Sequence, residues 1–91
     1  MIKIHAFNTG RRYTEHGQRI AWAVLSTGNI AMVDVDRHID YILVGGDLRT
    51  NSDILAHYDS HAEAPFNLAE REEFKALESE LEAAALAVPA K

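Results

Sequence analysis

The first residues alternate. In "IKIHAF", Ile2, Ile4 and Ala6 interleave with Lys3, His5 and Phe7, the two-residue period of a half-buried strand. "NTGRRYTEHG" follows with Asn8, Gly10 and Gly17 as breakers and reads as a long loop. Alternation resumes in "QRIAWAVL", with Ile20, Trp22 and Val24 on one face. "STGN" supplies a hairpin turn, since Gly28-Asn29 suits a tight connection needing positive φ between two apolar runs. "IAMVDVD" then pairs back antiparallel, giving a three-strand meander.

After Asp36 the pattern supports two readings. A strand continued to Leu43 would turn Ala31, Val33, Val35, Ile39, Tyr41 and Leu43 inward. A short helix capped by Asp36 would instead bury Ile39, Ile42 and Leu43 and close at Gly45. The β-branched content favours the strand. Further on, Thr50 with Asp53 resembles a capping box, and Ile54, Leu55 and Tyr58 give one buried helical face. Pro65 breaks the chain. Asn67 with Glu70 opens a second helix, whose stripe is Phe74, Leu77, Leu81, Ala84 and Val88, with Pro89 ending it.

Strands first and helices after argue for an α+β domain. The expectation is one domain over 1–91: an antiparallel meander of three strands, or four, in the N-terminal sheet 1–44, then helices at about 51–60 and 68–88 packed on one face. Its expected core is Ile4, Ile20, Trp22, Val24, Val33, Val35, Leu55, Phe74, Leu77 and Leu81.

Composition narrows the chemistry. At 47% hydrophobic and 25% charged, the chain is that of an ordinary globular domain. It has no cysteine, which removes disulfides, cysteine zinc sites and thiol catalysis. No apolar run precedes the first charges and no stretch has bilayer-spanning length, so a cytoplasmic protein without membrane contact is expected. The net charge of −5 is uneven. Residues 1–33 hold four bases against one acid, and residues 34–91 hold thirteen acids against five bases. Such a surface repels nucleic acid and favours a basic protein surface.

Three groups invite a chemical reading. In "DVDRHID", Asp34, Asp36, His38 and Asp40 would share one face of a straight strand. Hard divalent cations want several oxygen ligands, but carboxylates two apart diverge along a strand and need ligands from another element. The same row is also what the wet face of a one-sided antiparallel sheet requires. "HYDSH" sets His57 and His61 at zinc-ligand spacing, without the accompanying catalytic glutamate. Arg11, Arg12, Tyr13 and Arg19 gather around a glycine-containing loop. They suit a protein interface, where Arg and Tyr are favoured anchors, better than a nucleic-acid site beside so acidic a remainder.

No "GxSxG" elbow or phosphate loop is present, and no cofactor is expected. The first functional reading is therefore a non-enzymatic binding module, inhibitor- or adaptor-like. It would engage a larger protein or nucleoprotein complex with a basic surface, using Arg11, Arg12, Tyr13 and Arg19 or the glutamates at 72, 73, 78, 80 and 82. In general character the chain is similar to the compact acidic accessory and inhibitor proteins of phages and mobile elements, anti-CRISPR proteins among them. The alternative is a small metal-dependent hydrolase or nuclease built on the 34–40 row with His57 or His61. A third reading is a homodimer sharing "IAWAVL" or the 74–88 stripe.

Overall fold

A computed structural model of the chain describes residues 2–10, 17–43, 48–59, 63–64 and 67–89. In chain order the elements are β1 (His5–Asn8), β2 (Arg19–Val24), β3 (Ile30–Asp34), β4 (Ile39–Leu43), α1 (Asn51–Asp59), β5 (Glu63–Ala64) and α2 (Leu68–Leu86). The strands lie in one antiparallel sheet in sequential order, so the architecture is α+β with a meander and two helices. No described helix is long and apolar enough to cross a membrane.

Two features correct the expectation. The sheet has five strands, because the run from Ile30 to Leu43 folds into a hairpin instead of continuing as one strand or turning helical. The Asp34 carboxylate makes that reversal: its Oδ1 accepts from the amides of Asp36 at 3.1 Å and Arg37 at 3.0 Å. A side chain of Asp bonding its own backbone two and three residues on replaces the strand ladder with a turn. His38, at φ 56°, returns the chain in the left-handed region that His tolerates better than most residues. The other added strand is β5, whose two residues pair with Leu43 and Ile42.

The second correction concerns the helices, which lie on opposite faces. Ala21, Ala23, Ala31 and Val33 meet Phe74, Leu81 and Ala85 of α2, with Ile2, Ile4 and Ala6 alongside. Ile20, Trp22, Ile30 and Met32 meet Ile54 of α1 on the other face, flanked by Phe7 and Leu48. Strand alternation separates the two sets. The α2 face is floored largely by alanine, so a long helix can lie close to the strands. The α1 face carries the bulk. There the His5 ring stacks on Trp22, its direct cross-strand neighbour, at 4.1 Å between centroids. The indole Nε1 donates to Asn51 Oδ1 at 2.9 Å. Trp22 and the other expected core residues are buried or half-buried, with one exception. Val24 is 37% exposed because it ends β2, beside the hairpin loop.

Both ends of α2 are tied to the sheet. Asn67 and Glu70 form the capping box that their spacing implied: the Glu70 amide donates to Asn67 Oδ1 at 2.8 Å, and the Asn67 amide to Glu70 Oε1 at 3.3 Å. Glu70 does more than cap. Its Oε2 accepts from Thr27 Oγ1 and Asn29 Nδ2, each at 2.6 Å, which fixes the β2–β3 hairpin to the first turn of the helix. One turn later Glu73 accepts from the Ser26 amide and from its hydroxyl. At the far end Asn8 Nδ2 donates to the Pro89 carbonyl. Gly17, at φ 77°, sits against the same Asn8. A Cβ there would fall on Asn8 Oδ1 and the Gly10 carbonyl, so only glycine fits.

Glu70 is 2% exposed. The hydroxyl of Thr27, and then Asn29 and the Asn67 amide, hold its carboxyl below the ordinary glutamate value against the opposing effect of burial. A folded-state value below the unfolded one stabilises above the unfolded value, and that contribution disappears as pH falls through the folded value. Glu70→Ala is expected to destabilise the fold by about 2–3 kcal/mol at neutral pH, the magnitude of lost hydrogen bonds to a buried charge. Urea titrations of both proteins check it, and the difference between them should shrink as pH is lowered below the ordinary glutamate value.

Candidate functional site

The "DVDRHID" row is not a strand face. Its four polar residues divide between the end of β3, a turn and the start of β4, and they do different work. Asp34 is buried and builds the turn. Asp36 takes a forked ion pair from Arg19. The guanidinium Nη2 lies 2.7 Å from Oδ1 and Nε 3.1 Å from Oδ2, while the Arg19 amide donates to Oδ2 at 2.7 Å. The fork holds the Asp36 carboxyl below its ordinary value and raises the Arg19 guanidinium. Arg19 thus serves the domain's own acid, joining the start of β2 to the β3–β4 turn. Among the described residues no group of three His, Asp or Glu side chains is arranged to hold a metal ion. His57 lies in the last turn of α1. Arg11, Arg12, Tyr13 and His61 lie outside the described residues.

Asp40 behaves differently. It stands opposite Val33 in the β3–β4 ladder, hence on the face that α2 covers. Helix α2 packs over β1, β2 and β3, which leaves a groove where β4 emerges beside the C-terminal half of the helix. Helical periodicity sets Glu78, Glu82 and Leu86 in one stripe, each four residues from the last. Glu82 and Leu86 line the groove together with Val33, Val35 and Asp40, and Asp34 and His38 close it at the turn. Its volume is about 330 Å³.

The groove gathers negative charge along its rim. Burial, then the fields of Glu78 and Glu82, push the Asp40 carboxyl above its ordinary value. The helix adds to this: its last turn carries no basic residue, and its C-terminal end is the negative pole of the macrodipole. Glutamates near that pole are placed against the helix's own field. Of the other glutamates expected to meet a partner, Glu72 and Glu80 are exposed, while Glu73 is held by Ser26. The paired termini of α2 therefore contrast. Carboxylates at the N-terminal end are satisfied by hairpin donors, and those at the C-terminal end repel one another around an apolar recess.

Sequence periodicity found Glu78 and Glu82 as outer-face acids and Asp40 as part of a row. It missed that the three converge, because the hairpin that carries Asp40 to the helix was not read. Comparison of the chain with protein-family models, curated proteins and solved structures found no match.

Burial of the Asp40 carboxyl, and then the fields of Glu78 and Glu82, disfavour its charged form in the fold. A carboxyl raised in the folded state stabilises below its unfolded value, and that contribution is lost as pH rises through the folded value. Asp40→Asn is therefore expected to raise the thermal midpoint at neutral pH. The gain should vanish toward pH values at which Asp40 is protonated, which thermal unfolding across a pH series measures directly.

Proposed function

We propose that this domain is a non-enzymatic, acidic binding module that docks on a basic protein surface through the β4 side of α2. The observation that carries the reading is that Asp40 and Glu82 meet at one open apolar recess, with Glu78 one turn away on the same helix. The surroundings of Asp40 disfavour its charged form, and interactions that cost stability are commonly retained where a binding partner repays them. A cationic partner would relieve the repulsion on contact, so complex formation and fold stabilisation would be coupled. Exposed Glu72 and Glu80 extend the same negative field along the helix. That field would accelerate encounter with a basic partner and turn away nucleic acid.

The partner class that fits is a larger protein or nucleoprotein complex whose nucleic-acid-binding surface is basic. On that surface the domain would compete with the nucleic acid, as an adaptor or inhibitor of the kind carried by phages and mobile elements, anti-CRISPR proteins included. The domain acts from the cytoplasm in this reading.

A fluorescently labelled oligoarginine peptide tests the charge logic. It should bind the domain with an affinity that falls steadily as salt rises, since screening removes steering and attraction together. A variant with Glu72, Glu78, Glu80 and Glu82 all changed to Gln should bind at least about tenfold more weakly. Labelled duplex DNA should not bind either protein. Equal peptide affinity in the variant, or tight binding of the DNA, would overturn the reading.

A further inference from the structure

Resting on that docking reading, we propose that the groove between β4 and the C-terminal half of α2 is an arginine-receiving pocket, taking one guanidinium-tipped side chain from the partner. The lining has two parts that match the two parts of such a side chain. Val33, Val35 and Leu86 are apolar, and Leu86 is 58% exposed while Leu81 and Ala85 of the same helix are buried against the sheet. They suit the three-methylene stem, which gains by leaving water. Asp40 and Glu82 stand at the same recess, with Glu78 acting on Asp40 from the preceding turn. They suit a planar cation that can take two carboxylates through separate donors.

Arginine is preferred to lysine on desolvation. An ammonium is compact and strongly hydrated, and it gives up that hydration reluctantly beside valine and leucine. A guanidinium is weakly hydrated and keeps its charge at every accessible pH. The recess, at about 330 Å³, has room for one such side chain and not for a folded segment. Asp34, which also borders the recess, is nearly fully buried and serves the turn amides, so the ligand is left to Asp40 and Glu82. Charge and shape thus point to one occupant.

The test uses the whole chain labelled with 15N. Three capped tripeptides are titrated in turn, each with leucine on either side of a central arginine, lysine or citrulline; citrulline keeps the shape and loses the charge. Amide shifts are expected at Val33, Val35, His38, Asp40, Glu82 and Leu86. The arginine peptide should bind about tenfold more tightly than the citrulline one, the scale of a charge-assisted pair, and more tightly than the lysine one. The double variant Asp40→Asn, Glu82→Gln should lose that preference, while an unchanged or higher thermal midpoint shows the fold retained.

Equal binding of the citrulline peptide, or shifts confined to residues outside the groove, overturns the assignment. The two proposals fail separately. If oligoarginine binds with the expected salt dependence but shifts only residues around Glu72 and Glu80, the acidic docking function stands and the pocket does not. If no basic peptide binds, both fall.

Discussion

The structure depends on one carboxylate. Glu70 caps its own helix, yet its second oxygen is given entirely to the β2–β3 hairpin, through Thr27 and Asn29. The alanine floor under α2 is smooth, and side chains of one methyl group offer little to stop a helix from sliding. The position of α2 along the sheet is therefore set by polar contacts at its ends. Glu70 and Glu73 fix the start, and Asn8 meets the carbonyl of Pro89 at the finish. Because the helix is rigid between them, the clamp at one end determines where Glu78, Glu82 and Leu86 stand at the other. The groove beside β4 is a consequence of anchoring about three turns away.

That arrangement divides the helix electrostatically. Acids in its first turns face hairpin donors and agree with the macrodipole, so they hold the fold together. Acids in its later turns face another acid and oppose the dipole. The same residue type at helical spacing thus does opposite work depending on which strand end it meets. Asp40 comes to the helix only because Asp34 turns the chain and Asp36 fastens that turn to Arg19. Asp34, Asp36 and Asp40 are thus a turn-builder, a fastener and a carboxylate set beside the helix.

Much of this is legible in the order of residues alone. Alternation in "IKIHAF" and "QRIAWAVL" put His5 and Trp22 in strands, and Asn67-x-x-Glu70 announced the start of α2. The β3–β4 reversal was not legible, because Val33, Val35 and Ile39 continue a β pattern across it. The breaking signal was a local side-chain-to-backbone bond at Asp34 and not a glycine or proline. β5 has two residues and no period to read. The placement of the helices left a signal that pattern alone undervalued. "IAWA" and "IAMV" are apolar at consecutive positions, the mark of strands covered on both faces. A sheet with one wet face would have alternated more strictly. The convergence of Asp40 with Glu78 and Glu82 joins residues nearly forty positions apart, so it follows from the hairpin and the clamp and from no local spacing.

The stacking of His5 on Trp22 has an optical consequence. Trp22 is the sole tryptophan, and it lies on the α1 face, with the sheet between it and the groove. Its emission senses the imidazole beside it and the Asn51 carbonyl at its nitrogen. The chain thus carries a built-in chromophore that watches one layer of the molecule and is shielded from the other. An event at the α2 face that leaves the spectrum unchanged has left the α1 layer in place, and one that shifts it has been transmitted through the strands.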